Sequence, residues 1–238
     1  MLIDVVYLPA DLHGANLSEK TVVVFDVLRA TTSITAALAV GVRSIRAFAD
    51  LYSAQSAAAT QNPRPLLCGE IHALRAPGFD LGNSPGQFTP EYAGREVFLS
   101  TTNGTKALAA ARAAGVLCCG ALVNATAVAK FVAAKARDAI LLCSGTEGAI
   151  SMEDILGAGA VSNALLEIGN ATLATDAARV AHRLFQSTKT DLPAVLRQCQ
   201  GGRNIIRAGL EPDIDFCARL DAFALVGVSD KDLVIRSA

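Results

Sequence analysis

The fold is indicated first by residues 22–32, which read VVVFDVLRATT. Three β-branched residues and a phenylalanine in succession favour a strand that is buried on both faces. Asp26 follows the strand, and a short polar stretch then leads into an Ala-rich helix that ends near Gly41. A buried strand, a polar loop and a helix in that order predict one unit of an α/β sheet.

The same unit recurs along the chain. Further strands are predicted at residues 42–48, 65–68, 97–99, 116–120 and 139–143, and helices at 50–60, 106–114, 124–136 and 151–168. After Asn170 the pattern is helical, with segments at 176–186, 192–198, 203–208 and 213–221, and residues 224–228 are expected to close the sheet as an edge strand. The sequence predicts a three-layer α/β/α fold with a largely parallel sheet and a helical C-terminal portion.

The domain organisation predicted from the length of 238 residues is one domain over residues 1–238. A single α/β domain often exceeds about 200 residues. The strand, loop and helix units resemble one another weakly, so a division into two similar lobes near residues 120–140 stays open.

Composition and charge exclude several classes of partner. The net charge is −1, and the Lys and Arg residues are scattered along the chain, which argues against nucleic acid as a partner. The apolar stretches fall short of the roughly 20 residues that a membrane-spanning helix needs. The first residues lack the pattern of a signal peptide, so we expect a soluble, cytoplasmic protein.

The cysteines and histidines show no spacing typical of a zinc or redox site. The six cysteines include no Cys-x-x-Cys pair, and most lie in apolar, strand-like runs. We therefore expect them to be reduced core residues. His13, His72 and His182 lie far apart in the sequence, which gives no indication of a histidine metal cluster.

Four loops carry the polar residues expected at a ligand site, because ligands of such sheets bind outside the carboxyl ends of the strands. The first loop contains Asp26, Arg29, Thr31 and Thr32. The carboxylate could hold Mg²⁺ or attack phosphorus, and the guanidinium could bind two oxygens of a phosphate or sulfonate. A turn aspartate paired with an arginine, with a threonine as helix cap, would explain the same residues without a ligand.

The second loop follows the predicted strand at residues 65–68 and extends to residue 90. It is longer than connections usually are, which favours a functional role over an ordered surface loop with Asx turns. Glu70 leaves its strand as Asp26 does, and Asn83 and Ser84 offer amide and hydroxyl groups.

The third loop, residues 100–106, reads STTNGTK and places hydroxyl groups, backbone N–H groups and a cation at the start of a helix. Such a helix start can bind an oxyanion, whereas capping alone needs only one Ser, Thr or Asn. The spacing of a P-loop is missing, so the sequence gives no support for a nucleoside triphosphate.

The fourth loop, residues 144–148, reads SGTEG, and Ser151, Glu153 and Asp154 follow it. Ser151 and Asp154 fit a capping box, which would account for both without a ligand. Glu147 is not explained by capping. Together the four loops supply carboxylates for a hard cation and donors for anions, a combination that suits phosphoryl transfer.

The sequence resembles the family of 2-phosphosulfolactate phosphatases at these same loops. The matching stretches are VFDVLRAT at residues 24–31, GE at 69–70 with PGFDLGNSP at 77–85, TTNGT at 101–105, and GTEG at 145–148 with ED at 153–154. A weaker match lies at residues 213–217, DIDFC. The chain departs from the family pattern at Cys68 and His72.

The resemblance implies Mg²⁺-dependent hydrolysis of (R)-2-phospho-3-sulfolactate to 3-sulfolactate and phosphate, a step of coenzyme M biosynthesis. Such a substrate carries phosphate, sulfonate and carboxylate on three carbons, which agrees with the donors in the loops. The resemblance also implies a small anionic phosphorylated substrate as the partner, and we expect a homo-oligomer from base rates.

Residue roles follow from the resemblance and the loop chemistry together. The predicted catalytic residues are Asp26, Arg29, Glu70 and Glu153. The predicted metal ligands are Asp26, Glu70 and Asp154. The predicted substrate-binding residues are Thr31, Asn83, Ser84, Thr102, Asn103, Gly104, Thr105 and Glu147. Either Asp26 or a metal-bound water could attack the phosphorus.

Other functions remain open at this point. A phosphatase for another small phosphorylated hydroxy acid, or a non-catalytic module that binds phosphate or sulfonate, could use the same loops. A haloacid-dehalogenase-type phosphatase needs a second aspartate two positions after the first, where this chain has Leu28. A Rossmann oxidoreductase is disfavoured because no Gly-x-Gly-x-x-Gly follows a strand.

Overall fold

The computed structural model describes residues 1–12 and 16–238, so His13 lies outside the described residues. The strands are β1 (Leu2–Val6), β2 (Thr21–Phe25), β3 (Ser44–Ala47), β4 (Leu66–Ile71), β5 (Leu74–Arg75), β6 (Glu96–Ser100), β7 (Val116–Gly120), β8 (Ala139–Cys143), β9 (Thr172–Leu173), β10 (Gly227–Ser229) and β11 (Val234–Ser237). The helices are α1 (Ala30–Ala39), α2 (Leu51–Ala59), α3 (Gly104–Ala110), α4 (Ala125–Lys135), α5 (Met152–Ile168), α6 (Asp176–Thr188), α7 (Leu192–Gln198), α8 (Gln200–Arg207) and α9 (Pro212–Cys217).

All of these strands belong to one mixed sheet with the order β5-β4-β6-β3-β11-β10-β7-β2-β8-β1-β9. Strands β4, β6 and β3 form one parallel group, and β7, β2, β8, β1 and β9 form another. The hairpin β10–β11 joins the two groups by antiparallel pairing to β7 and β3. The predicted α/β class with a largely parallel sheet is confirmed.

Helices cover both faces of the sheet, as the three-layer prediction requires. Successive residues of β2 point to opposite faces: Val23 and Phe25 join the core beneath α4, α5 and α6, whereas Val22 and Val24 pack with α1 and α3. This alternation is the period of two that a strand imposes on its side chains. The apolar run at residues 22–25 is thus buried on both sides.

The C-terminal residues do not form the edge strand that the sequence predicted. Strand β10 begins at Gly227, and the hairpin that it forms with β11 lies in the middle of the sheet between β3 and β7. The prediction of an edge strand was wrong because pairing partners far apart in sequence leave no local signal. Strand β1 was not predicted from the sequence. It lies between β8 and the edge strand β9.

The predicted division near residues 120–140 falls between β7 and β8, and both of these strands pair with β2. The description of residues 1–238 as one domain stays a prediction. All six cysteines are buried and unpaired, as expected of reduced core residues. Within the described ranges, no helix has the length and apolar composition to cross a membrane.

The central position of the C-terminal hairpin predicts a large loss of stability on truncating its core side chain. Ile235 is fully buried, so Ile235→Ala is expected to lower the free energy of unfolding by about 2–5 kcal/mol. Urea denaturation would measure this change. Ile168→Ala at an exposed position of α5 is the control. Equal small losses for both variants would contradict the central placement of β11.

Candidate functional site

A cavity of about 870 Å³ lies where the loops after β2, β4, β6 and β8 meet helix α8. The cavity is lined by seven of the residues predicted for the site, namely Asp26, Arg29, Glu70, Asn83, Thr102, Asn103 and Glu147. The remaining predicted residues, Thr31, Ser84, Gly104, Thr105, Glu153 and Asp154, are not among its lining residues, and all are buried behind it. The structure therefore brings the four loops together at one cleft.

Asp26 directly follows β2, and its carboxylate is fixed by the backbone at the start of α1. Its Oδ1 accepts a hydrogen bond from the Ala30 N–H at 3.0 Å, and its own N–H donates to Thr31 Oγ1 at 3.0 Å. A Cβ at position 104 would lie 2.7 Å from Asp26 Oδ2, so only glycine lets α3 approach this closely. Thr31 and Gly104 thus act on the position of Asp26, while their predicted roles in substrate binding stay untested.

The pKa of Asp26 is raised from 3.8 to about 6. Burial is the largest cause, because it disfavours the charged form, and the negative charges of Glu70 and Glu153 add to it. The backbone hydrogen bonds from Ala30 and Gly104 act in the opposite direction. A cation bound nearby would stabilise the ionised form of this buried carboxylate.

Glu70 ties the loop after β4 to the loop after β6. Its Oε1 accepts hydrogen bonds from the backbone N–H and the hydroxyl of Thr102, at 2.8 and 2.6 Å, and its Oε2 accepts one from the Ala73 N–H at 3.0 Å. Both oxygens therefore already have protein donors. The predicted roles of Glu70 in catalysis and metal binding stay predictions, and the structure shows a role in positioning.

Arg29 is buried and paired with Asp213 of α9. Its Nη1 donates to Asp213 Oδ2 at 2.6 Å and to Ser84 Oγ at 3.0 Å, and Ser84 in turn donates to the same Asp213 oxygen at 2.7 Å. The Nη2 group donates to the Ala73 carbonyl at 2.5 Å. Of the five guanidinium N–H groups, one on Nη2 and the one on Nε have no such partner among the described residues.

A tight turn at His72 and Ala73 joins β4 to β5 and supports this arrangement. Both residues have positive φ, 51° and 68°, which is the geometry of a type I′ hairpin that usually contains Asn-Gly. Neither residue is glycine, so the turn is strained, and strain of this kind concentrates at functional sites. The backbone of Ala73 is bonded to both Glu70 and Arg29.

Asp154 links the first loop to the fourth through hydrogen bonds. Its Oδ1 accepts from the Val27 N–H at 2.9 Å, and its Oδ2 accepts from Ser144 Oγ at 2.9 Å and the Gly145 N–H at 3.1 Å. Burial and the charges of Asp26 and Glu153 raise the pKa of Asp154 well above its usual range. Both oxygens have donors, so its predicted role as a metal ligand stays a prediction.

Glu153 and Asn83 each have a buried oxygen without a partner among the described residues. Glu153 Oε1 accepts from the Gly201 N–H at 3.1 Å, whereas its Oε2 has no donor. Asn83 Oδ1 is likewise unpartnered, and Asn83 lines the cavity. Burial raises the pKa of Glu153. Buried oxygens of this kind are normally paired with protein, water or a bound ion.

The third and fourth loops are joined by a hydrogen bond between a side chain and the backbone. Asn103 Oδ1 accepts from the Glu147 N–H at 3.3 Å, and Glu147 has a positive φ of 53°. Thr105 closes its own loop instead of facing the cavity, because its hydroxyl donates to the Thr101 carbonyl at 2.9 Å. Its predicted contact with substrate stays untested.

The donor set fits Mg²⁺, although the described residues contain no group of three His, Cys, Asp or Glu side chains close enough to hold a metal ion by themselves. Mg²⁺ is commonly bound by one or two carboxylates, with water and substrate oxygens completing its six ligands. The oxygens that the structure offers are those of Asp26 and the unpartnered ones of Glu153 and Asn83. Glu70 and Asp154 fit less well because each already accepts three hydrogen bonds from protein donors.

Sequence reasoning missed several residues of this site. Asp213 lay in the weakest of the matching stretches and was given no role. Asn204 and Arg207 of α8 line the cavity, and nothing in the helical pattern of residues 203–208 distinguished them from surface positions. Only the packing of α8 against the loops reveals these two residues.

Comparison with known proteins identifies the family. A family described as 2-phosphosulpholactate phosphatase matches residues 6–232. The chain belongs to this family. A probable 2-phosphosulfolactate phosphatase of Synechococcus sp. (strain RCC307) is 42% identical over 222 residues, which cover 90% of this chain and 91% of the relative. A protein of the same description from Carboxydothermus hydrogenoformans is 38% identical over 226 residues, covering 95% and 92%.

The match confirms the resemblance that the loop motifs indicated. It also confirms the enzyme class, since this is a phosphatase family and the match spans all four loops.

The buried ion pair between Arg29 and Asp213 predicts a large stability difference between two neighbouring aspartates. Asp213→Asn leaves the Arg29 charge buried without its partner and is expected to lower the free energy of unfolding by about 3–5 kcal/mol. Asp215→Asn removes an exposed partner of Arg197 and should lower it by less than about 1 kcal/mol. Urea denaturation of both variants is the measurement. Equal losses would contradict the role given to Asp213.

The raised pKa of Asp26 predicts a pH-dependent gain in stability on neutralising this residue. The native state keeps a proton that the unfolded chain releases near pH 3.8, so the stability of the wild type falls as pH rises from about 4 to about 6. With chelator present, Asp26→Asn should gain up to about 3 kcal/mol in free energy of unfolding relative to wild type between pH 4 and pH 7.

Urea unfolding at several pH values tests this expectation, with Asp50→Asn as the control. The pKa of Asp50 is lowered by hydrogen bonds from Ser53, so Asp50 is ionised in both states above pH 5 and its variant should run parallel to the wild type. A curve for Asp26→Asn that also runs parallel would show that Asp26 carries no such penalty.

Proposed function

We propose that this protein hydrolyses (R)-2-phospho-3-sulfolactate to 3-sulfolactate and phosphate in a Mg²⁺-dependent reaction of the kind found in coenzyme M biosynthesis. The family match over residues 6–232 carries the proposal. The cavity supports it, because it combines carboxylates suited to a hard cation with donors suited to oxyanions.

Each residue of the site has a part in this proposal. Asp26 and Glu153, with Asn83, would hold the ion, and Arg29 would direct its remaining N–H groups at the phosphate. Mg²⁺ would neutralise phosphate charge that the buried carboxylates would otherwise repel. Asp154, Glu70 and Ser84 fix the loops and Arg29 in place, so the donors are oriented before substrate binds.

The overall reaction breaks the bond between phosphorus and the ester oxygen at C2 of the substrate. Water supplies the new oxygen on phosphorus, and the departing alkoxide takes up a proton to become the hydroxyl of sulfolactate. Asp26 directly follows β2 and lines the cavity, where its carboxylate would help to hold the ion beside the phosphate.

Location and assembly belong to the same proposal. Six buried, unpaired cysteines suit a reducing compartment, so we place the protein in the cytoplasm. Most soluble oligomers are homo-oligomers, so we propose that assembly as well, and light scattering of the purified protein would measure it. The partner is a small anionic phosphorylated molecule, with neither nucleic acid nor membrane involved.

Phosphate release from phosphosulfolactate tests the function directly. We expect turnover with Mg²⁺ that chelator abolishes, and a loss of at least about a hundredfold in kcat for Asp26→Ala. Asp232→Ala removes an exposed carboxylate from the turn before β11 and should keep the wild-type rate.

Three outcomes would contradict the proposal in different ways. Turnover that survives chelation would remove Mg²⁺ from the reaction. Faster turnover of another phosphorylated hydroxy acid would make that compound the better substrate. Tight binding of sulfolactate and phosphate without any turnover would indicate a non-catalytic binding module.

A further inference from the structure

Helix α8 forms part of the cavity wall and presents one face to it. Gly201, Asn204, Ile205 and Ala208, the last just after the helix ends, line the cavity at the spacing that places residues on one side of a helix. Arg207 lines the cavity beside them. None of these residues belongs to the four loops that carry the family motifs, so α8 adds a separate set of contacts.

The cations on the cavity wall differ in how far their charge is already balanced. Arg29 is paired with the buried carboxylate of Asp213 at 2.6 Å. Lys106 and Arg207 also line the cavity, are exposed, and have no ion-pair partner in the described part of the chain. Their charge is therefore available to a ligand, whereas that of Arg29 is offset before any ligand arrives.

The remaining charges on the wall make such cations necessary. Asp26, Asp50, Glu70 and Glu147 contribute carboxylates to the same cavity. A substrate with a second strong anion besides its phosphate would be repelled by this wall unless cations faced that anion. A cavity of about 870 Å³ also leaves space beyond a single phosphate group.

We propose that Arg207, together with Lys106 and the amide of Asn204, forms a second anion subsite that binds the sulfonate of the substrate and so determines specificity. The subsite rests on the proposed function, since it takes the part of the substrate farthest from the reacting phosphorus. A guanidinium presents two parallel N–H groups that can bind two sulfonate oxygens in a fixed planar geometry, whereas a lysine ammonium is a compact charge without this geometry.

Comparison of substrates with and without the sulfonate tests the subsite. Arg207→Gln should lower kcat/KM for phosphosulfolactate by roughly tenfold to a hundredfold, mainly through KM, because it removes binding that is the same in the ground and transition states. The same variant should change kcat/KM for 2-phospholactate, which lacks the sulfonate, by less than about twofold. Lys106→Gln should show the same selectivity with a smaller loss.

The control is Arg179→Gln, which removes an equal charge from the exposed side of α6 and should leave kcat/KM for both substrates unchanged. Thermal melting of each variant separates misfolding from loss of the subsite, because a misfolded protein loses activity on both substrates. The carboxylate analogue 2-phosphomalate distinguishes a sulfonate subsite from one that accepts any oxyanion.

A second measurement does not depend on turnover. Calorimetric titration with sulfolactate and with lactate should show that wild type prefers sulfolactate and that Arg207→Gln loses this preference. Equal losses on both substrates, or a retained preference for sulfolactate in the variant, would overturn the subsite. If wild type hydrolyses neither phosphate ester but still prefers sulfolactate through Arg207, the proposed function fails and the subsite stands.

Discussion

Buried negative charge is the constraint on which the site depends. Asp26, Glu153 and Asp154 are all buried, and burial, together with the charges of Asp26 and Glu153, raises the pKa of Asp154. Backbone N–H groups from α1, α8 and the loops stabilise part of this charge. The unpartnered Oε2 of Glu153 shows that the compensation is incomplete. A fold that keeps carboxylates in this state loses stability when nothing is bound and gains it when a cation arrives.

The shape of the sheet brings these charges together. Strand β6 ends at the loop that contains Gly104, and β2 ends at Asp26, yet the two strands belong to parallel groups that run in opposite directions. Sheets twist by about 20–25° per strand, so five steps from β6 to β2 rotate the strand direction by roughly 100° or more. A rotation of this size would let strands of opposed direction deliver their loops to one cleft. The loops of the two groups do meet, since a Cβ at position 104 would lie 2.7 Å from Asp26 Oδ2.

The cations that line the cleft are of two kinds: one is buried and held in an ion pair, and the others are exposed. Hydrogen bonds to Asp213, Ser84 and the carbonyl of Ala73 hold the Arg29 guanidinium in a single orientation. Burying the ion pair between Arg29 and Asp213 carries a desolvation cost. Arg207 and Lys106 are exposed and unconstrained by ion pairs in the described residues. Preorganised charge near the reacting atoms and adaptable charge farther away are what a small, highly anionic substrate requires.

The sequence by itself determined the class of fold, the four loops and the family. Short sequence patterns were enough for these three predictions, because a buried strand such as residues 22–25 and a loop such as residues 100–106 can each be recognised from a few consecutive residues. The same local signals placed Asp26, Arg29, Glu70, Asn83 and Asn103 at one cleft, and the structure bears out that placement.

Only the tertiary structure decided which of these side chains still have atoms free for a ligand. Hydrogen bonds between distant segments occupy Glu70, Ser84 and Asp154, whereas Glu153 keeps an unpartnered oxygen. The central place of β10 and β11, the pairing of Asp213 with Arg29 and the approach of Arg207 to the cavity also depend on contacts between residues far apart in the chain. A single sequence carries no local mark of such contacts, because their energy arises only when packing brings the partners together.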